Sequence, residues 1–127
     1  MAALFLTVSS AIAQDPVKVD AKHYKVVLEN EQVRVLKIHY GPHEKSIMHE
    51  HPGAVAVFLS GGKVRFTLPD GKTEEAQQKA GGVQWNGAGK HLPENLGDEP
   101  LEVILVELKG GSSAAAGTGT EPQKPAE

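Results

Sequence analysis

Short apolar segments separated by glycine and proline turns make up the middle of this chain. Residues 33–40 form a long β-branched segment that ends at Gly41-Pro42, and residues 54–59 form a continuous apolar run that ends at Gly61-Gly62. Residues 63–68 then alternate between polar and apolar side chains before a Pro-Asp-Gly turn. Each pattern is typical of a β-strand that ends in a tight turn.

Further segments of the same kind predict strands at residues 25–29, 46–51, 83–85 and 101–108. Residues 73–79 have a composition that would suit a helix, but their apolar residues do not recur at helical spacing, so we predict a polar edge strand there. Eight or nine strands at this spacing, without a convincing helix, predict an all-β sandwich or barrel.

The two ends of the chain differ from the middle. Residues 1–13 carry no charge and close on Ala11-Ile12-Ala13, which predicts a signal-peptide remnant, although no basic residue precedes Lys18. We therefore expect a periplasmic or secreted protein, with a cytoplasmic one as the alternative. No other segment approaches the ~18 apolar residues that a membrane span needs, so no membrane association is expected after cleavage.

Residues 110–127 are rich in glycine, serine, alanine, threonine and proline, and they contain no aromatic or branched aliphatic side chain. Such a segment cannot bury a core face, so we expect a disordered tail. The folded domain is predicted at residues 17–109, which is enough for one small β domain.

Composition excludes several classes of function. The chain has no cysteine, which rules out disulfides, thiolate metal sites and a thiol nucleophile. The net charge is −3, basic residues are scattered and only 5% of residues are aromatic, so neither a phosphate-tracking stripe nor a stacking platform is present. Nucleic acid is not expected as a partner.

The strongest chemical signal is His49-Glu50-His51, with His91 forty residues further on. Residues separated by one position point to the same face of a strand, so both imidazoles can reach one ion. A third histidine from a distant strand could complete a site for a transition metal. His23 and His39 are isolated and are expected at the surface.

The residues around the histidine pair resemble a known motif. The stretch Gly41–Pro52, followed by an apolar strand and Gly61-Gly62, resembles the first motif of the cupin superfamily. Gly81-Gly82, His91 and Asn95 resemble the second motif, a glycine-rich turn and then a histidine, three residues and an asparagine. Overall, the stretch 26–109 is similar to small single-domain bacterial cupins of mostly unassigned function.

This resemblance implies a small jelly-roll barrel, the double-stranded β-helix, with a divalent metal in its mouth. His49, His51 and His91 correspond to the three imidazole ligands of the family. The usual fourth ligand is a glutamate four residues after the second histidine, and here that position is Val55. The resemblance also implies a homodimer.

A neutral three-histidine site leaves the ion its full double charge and three open positions. Such a site suits iron, copper, zinc, nickel or manganese better than magnesium or calcium. It favours a small anionic chelating ligand. No catalytic residue is identified. Further residues expected to line the pocket or support the ligands are Asn95, Val55, His43, Met48, Phe58 and Trp85; for Asn95, capping of a turn is an equal alternative.

Two functions follow from this site. One is a metalloenzyme, either an oxygenase that resembles the dioxygenases or a metal-assisted lyase or isomerase, acting on a small chelating molecule. The other is a non-catalytic periplasmic module that binds a small ligand or the metal itself. A decayed site without metal is the simplest competing reading.

Overall fold

A computed structural model describes residues 14–110. Except for Gly110, the predicted signal-peptide remnant at 1–13 and the predicted tail at 110–127 lie outside the described residues. The described part contains one short helix and nine strands. Their bounds are α1 (Pro16–Val19), β1 (Tyr24–Glu29), β2 (Val33–Tyr40), β3 (His49–His51), β4 (Ala54–Phe58), β5 (Gly62–Thr67), β6 (Thr73–Gln78), β7 (Val83–Asn86), β8 (Gly89–Asn95) and β9 (Leu101–Leu108).

The strands form two antiparallel sheets. One has the order β1-β2-β9-β4-β7 and the other has the order β3-β8-β5-β6. This arrangement confirms the predicted all-β class, and the polar segment at 73–79 forms an edge strand as predicted. Only the last three residues of the predicted strand 46–51 are paired as a strand. The sequence reading missed helix α1, which begins at Pro16 with Asp15 as its N-cap.

The core lies between the two sheets and follows the period of two along β2, β4 and β9. Along β9, alternate side chains from Leu101 to Glu107 are buried, and the intervening side chains are half-buried. Apolar burial of this kind supplies most of the driving force for a small β domain. The buried apolar residues are Tyr24, Leu36, Ile38, Tyr40, Ala54, Ala56, Phe58, Val64, Leu101, Val103 and Leu105.

Helix α1 lies against β1 and β3, the strand that carries the histidine pair. The backbone N–H of Glu50 donates to the carbonyl of Gln14 at 2.9 Å, which ties the start of the described chain to β3. At the other end of α1, the amide of Asp20 donates to the Pro16 carbonyl at 2.8 Å. The segment that leads into the helix is therefore tied to the strand that carries the histidine pair. Between residues 14 and 110, no helix has the length and apolar character that crossing a membrane requires.

Candidate metal centre

Three histidines converge where β3 pairs with β8. His49 lies directly opposite His91 in the antiparallel ladder, and His51 is two residues along the same strand. One ring nitrogen from each of the three residues lies within 4.8 Å of the others. His49 and His51 are buried and His91 is half-buried. The ladder register therefore brings together the three residues that the sequence singled out.

The donor set fits a transition metal ion. Imidazole nitrogens bind zinc, copper, nickel and iron at about 2.0–2.2 Å, so donors grouped this closely need only small ring movements to share one ion. Burial, together with the charge of His51, lowers the pKa of His49 to about 4. Burial and the two neighbouring histidines lower the pKa of His91 to about 3. Both rings are therefore neutral near pH 7, as metal binding requires.

A chain of charged residues orients His51. Its Nδ1 lies 2.8 Å from Oε2 of Glu107, which leaves Nε2 for an ion. Burial tends to raise the pKa of Glu107, but hydrogen bonds from His51 and Arg34 outweigh it and hold the pKa below its usual range. Nε of Arg34 donates to the other oxygen of Glu107 at 2.6 Å, and its two terminal nitrogens donate to Asp15 at 2.8 and 3.0 Å. Carboxylate partners of this kind fix the tautomer of a metal-binding histidine.

His49 is held through its own loop and a tyrosine. Its Nδ1 lies 2.7 Å from the carbonyl of Ile47 and 3.2 Å from Oγ of Ser46. A carbonyl can only accept, so Nδ1 carries the proton and Nε2 is the free donor atom. The hydroxyl of Tyr24 donates to this Nε2 at 3.1 Å. The tautomer of His49 is thus set for coordination through Nε2.

A pair of buried tyrosines lies beside His49. The hydroxyls of Tyr24 and Tyr40 are hydrogen-bonded to each other, and the rings meet edge to face. Burial raises the pKa of both phenols, which keeps them protonated. Tyr24 therefore offers a neutral O–H group next to the coordination position, held in place by Tyr40.

His91 is supported differently. Within the described residues, neither of its ring nitrogens has a hydrogen-bond partner. Its ring stacks on Phe66 with centroids 5.2 Å apart and an interplanar angle of 25°. His91 is therefore oriented by apolar packing and by the β3–β8 register, and it is the least constrained of the three histidines.

Two of the three histidines border an open cavity of about 340 Å³. His51 and His91 line it, together with Phe66, Trp85 and Lys90. This volume lies at the lower end of the range for small-molecule sites. The lining combines aromatic walls with one cationic side chain, Lys90, and one carboxylate, Glu74, so the cavity can take a small molecule that has both an apolar and a polar portion. The full set of lining residues is His51, Ala54, Phe66, Leu68, Glu74, Gln84, Trp85, Asn86, Gly87, Ala88, Gly89, Lys90, His91 and Leu105.

The structure changes the interpretation of the position at which the resemblance implies a glutamate ligand, here Val55. Val55 is half-buried and lines neither cavity, whereas the buried side chains of Ala54 and Ala56 face the histidine side of β4. The methyl groups of these alanines stand where a carboxylate on β4 would have to be. Glu107 is the partner of Ala54 in the β4–β9 ladder, and its carboxylate contacts Nδ1 of His51. Within the described residues, no carboxylate joins the three-histidine group.

The other predicted pocket residues have different environments. Trp85 lines the open cavity and Phe58 lines a smaller apolar cavity of about 50 Å³ beneath it. Asn95 is buried and acts as a cap: its amide donates to the carbonyls of Gly41 and Glu99, and its oxygen accepts from Gly97. His43 is exposed and contacts Asp98 at 2.6 Å, away from the site. Met48 is half-buried and lines neither cavity.

Sequence reasoning missed the residues that support the ligands. Glu107 shares the strand face of Leu101, Val103 and Leu105, so its position in an otherwise apolar face was a usable signal. Arg34 is on the core-facing side of β2 in the same way. The expectation that His23 lies at the surface was wrong: it is buried, with Nδ1 2.8 Å from Asp20. That pairing depends on a turn the sequence did not reveal.

Comparison with known proteins adds information on the fold. No protein-family profile matches the chain, and no curated protein matches it. A cupin domain from Bordetella pertussis is 24% identical, with a TM-score of 0.64 over 68% of this chain and 92% of that one. An uncharacterized conserved protein with a double-stranded β-helix domain from Klebsiella pneumoniae is 25% identical, with a TM-score of 0.57 over 70% of this chain and 77% of that one.

A variant of oxalate decarboxylase from Bacillus subtilis is 27% identical, with a TM-score of 0.51 over 62% of this chain. The match spans 22% of that enzyme, so it concerns one part of a longer protein. The two antiparallel sheets of this chain agree with the double-stranded β-helix that the similar structures are described as having. The fold of this chain is the double-stranded β-helix of the cupin superfamily.

Proposed function

We propose that this protein is a mononuclear metalloprotein that binds a transition metal ion through His49, His51 and His91 and acts on a small chelating anion. The observation that supports this most strongly is the set of three ring nitrogens within 4.8 Å of one another beside an open cavity. Iron, copper, zinc, nickel and manganese are the candidate ions, because the donor set is imidazole without carboxylate.

The ion would supply Lewis acidity and positions for exchangeable ligands. The residues of the chain do the remaining work. Glu107 and the Ile47 carbonyl hold protons on Nδ1 of His51 and His49, so that both Nε2 atoms remain free. Tyr24 holds a phenolic proton beside Nε2 of His49 and can donate a hydrogen bond to an oxygen of a bound anion. Phe66 and Trp85 provide aromatic walls for the cavity beside the histidines.

The charge of the site favours an anionic substrate. Three neutral imidazoles would leave the charge of the ion uncompensated, while the cavity wall carries one cation, Lys90, and one carboxylate, Glu74, so the ion supplies the net positive charge. One of the similar structures, oxalate decarboxylase, takes its name from a small dicarboxylate, which is a chelating anion of the class proposed for this protein. We propose oxygen-dependent cleavage, or a lyase or isomerase reaction that moves a proton next to a carboxylate, as the reaction classes.

Metal content tests the proposal directly. The purified chain is loaded with iron, copper, zinc, nickel or manganese, desalted and measured for metal per chain. We expect about one ion per chain for the wild type and loss of that ion in His49→Ala and in His91→Ala. His39→Ala is the matched control, because the His39 side chain is exposed and pairs with Glu102. A wild type that retains none of the five ions would contradict the proposal.

The alternative function is a non-catalytic module that binds a small ligand or the metal. The observation in its favour concerns acid–base groups. Within the described residues, the one such group that contacts a histidine nitrogen on the coordinating side is the phenol of Tyr24, and burial raises its pKa, so it stays protonated and cannot act as a base. A metal-loaded protein that binds carboxylates but consumes neither oxygen nor substrate with any of the five ions would favour this module. Turnover that disappears in His91→Ala would favour the enzyme.

Two further proposals concern the context of the protein. Export is proposed from the pattern at residues 1–13, and cleavage after Ala13 would retain every residue from Gln14 onwards that contacts the site. N-terminal sequencing of protein from a periplasmic fraction tests this.

A homodimer through β1 is also proposed, since β1 is an edge strand that exposes Val26, Val27 and Leu28 by 41–55%. Sedimentation of wild type and Val27→Lys tests it, with a monomeric wild type as the contradicting result.

A further inference from the structure

Two hydrogen-bonded chains lead from the histidines to opposite ends of helix α1. The first runs from His51 through Glu107 and Arg34 to Asp15, with distances of 2.8, 2.6 and 2.8 Å. Asp15 is also the N-cap of α1, because its carboxylate accepts from the amide of Val17 at 3.0 Å. The carboxylate of Asp15 therefore both caps the helix and ends the series of hydrogen bonds that begins at His51.

The second chain runs from His49 through Ser46 to Asp20. Oγ of Ser46 lies 3.2 Å from Nδ1 of His49 and donates to Asp20 at 2.5 Å. Asp20 is the C-cap residue of α1 and also accepts from Nδ1 of His23 at 2.8 Å. Asp20, Ser46, His23 and His49 are all buried, so this chain is shielded from water.

We propose that Asp15 and Asp20, which cap the two ends of α1, are positioning residues of the metal centre. Asp15 acts on His51, and Asp20 acts on His49. This inference rests on the proposed metal site. The two chains share no residue, so each aspartate controls one ligand. Among residues 14–110 no such chain reaches His91, which makes the site asymmetric: two ligands are linked to the caps of α1, and the third packs on Phe66.

The physical basis is the rigidity of charged hydrogen bonds at buried positions. Arg34 donates to both carboxylates with three N–H groups in a planar fork, and its side chain is only 17% exposed. Without Asp15, the guanidinium would keep Glu107 but lose the anchor that fixes its own plane. The Glu107 carboxylate, and with it the His51 ring, would then sample more orientations. Replacement of outer partners of a metal ligand typically lowers metal affinity about 10–100-fold.

The test compares Asp15→Asn, Asp20→Asn and the double variant with the wild type. Metal affinity is measured with cobalt(II) and zinc(II) by competition against a chelator, and the geometry is followed by the visible spectrum of the cobalt(II) protein. Each single variant is expected to lower affinity about threefold to tenfold, less than loss of a direct partner. The control is Asp70→Asn, because Asp70 is an exposed turn residue far along the chain from α1.

The combination of variants distinguishes positioning from general loss of stability. Because the two chains are separate, the affinity losses of Asp15→Asn and Asp20→Asn should multiply. Asp15→Asn combined with Glu107→Gln should lose less than the product, since both lie on one chain. A purely structural role would change the unfolding temperature without altering the cobalt(II) spectrum. Asp15→Glu should restore part of the affinity by keeping the carboxylate.

Equal affinity and an unchanged spectrum in all three aspartate variants would overturn the inference while leaving the metal site intact. If the wild type binds no metal, the proposed function fails. The inference is then judged on the metal-free protein by proton NMR. A signal from a slowly exchanging Nδ1 proton on His51 that loses intensity in Asp15→Asn supports positioning by Asp15. An unaltered signal in that variant overturns the inference.

Discussion

Arg34 lies directly opposite Glu107 in the β2–β9 ladder, and its Nε donates to the Glu107 carboxylate at 2.6 Å. The same carboxylate accepts from His51 through its second oxygen. One buried anion thus has a permanent cation on one side and the imidazole of His51 on the other. This balance allows a charge to lie in the core without being strongly unfavourable.

Glu107→Gln should weaken both folding and metal binding. The change leaves the Arg34 charge largely buried, with Asp15 as its one remaining carboxylate partner between residues 14 and 110, which we expect to lower the free energy of unfolding by about 3 kcal/mol. It also removes the anion that orients His51, so zinc affinity should fall about 10–100-fold. Urea denaturation of the metal-free protein and chelator competition measure the two effects.

Glu102→Gln is the matched control for that change. Glu102 lies on the same strand as Glu107, but it faces outward and contacts the exposed His39. Its replacement should leave zinc affinity within a factor of two. Equal losses in both variants would contradict a specific role for Glu107.

The metal-free protein should lose stability as pH falls below neutral. The pKa of His49 is about 4 and that of His91 about 3 in the folded chain, against about 6.5 when unfolded. The unfolded state therefore binds more protons, so the stability is fully present above about pH 6.5 and is lost as pH falls toward 4 and 3. At pH 5 each histidine should cost about 2 kcal/mol.

Urea denaturation at pH 7 and pH 5 in the presence of a chelator measures this loss. His91→Leu should lose about 2 kcal/mol less than the wild type between the two values, because one of the two histidines is gone. Gln77→Ala, an exposed change on β6, should show the wild-type loss. Identical pH dependence in His91→Leu and wild type would show that His91 is not held neutral.

Tyr24→Phe should separate stability from metal binding. The hydroxyl that bonds to Tyr40 and to Nε2 of His49 is removed, which should cost about 1 kcal/mol of unfolding free energy. Zinc affinity should stay within about threefold of the wild type, because the hydroxyl only occupies the position that the ion takes. Tyr40→Phe keeps the contact with His49 and is the control. A tenfold loss of zinc affinity in Tyr24→Phe alone would make the phenol a ligand.

Lys90→Gln should weaken the binding of small carboxylates to the metal-loaded protein. Lys90 lines the cavity near the histidines, and its exposed charge should contribute about a threefold gain in affinity at low salt. Oxalate binding to the cobalt(II) protein, followed by its visible spectrum at two salt concentrations, measures this. Lys72→Gln, in the β5–β6 turn beside Asp70, is the control. Unchanged oxalate affinity in Lys90→Gln would place the anion elsewhere.

The parts of the site that depend on local periodicity could be predicted from the sequence. Side chains two residues apart share a strand face, so His49 and His51 had to point the same way once that segment was extended. The strand pattern and the turns at glycine and proline predicted the all-β class for the same reason. Glu107 was also within reach of this logic, because it continues the face of Leu101, Val103 and Leu105.

Other features depend on contacts between distant segments. The β3–β8 register places His91 opposite His49, and the sequence indicated this only through its resemblance to cupins. The β2–β9 register places Arg34 on Glu107 across 73 positions of chain. Asp15 and Asp20 were not singled out from the sequence, which did not predict helix α1, yet both end a series of hydrogen bonds that begins at a histidine of the site. Local propensity carries no information about such pairings.

The sequence by itself determined a β-rich domain with two histidines on one strand face, because a period of two and turn chemistry are local properties. The tertiary structure decided which third histidine joins them, which carboxylate supports His51, and that Val55 faces away while Ala54 and Ala56 face in. Those outcomes depend on sheet register and on where helix α1 packs, and only the folded chain fixes either of these.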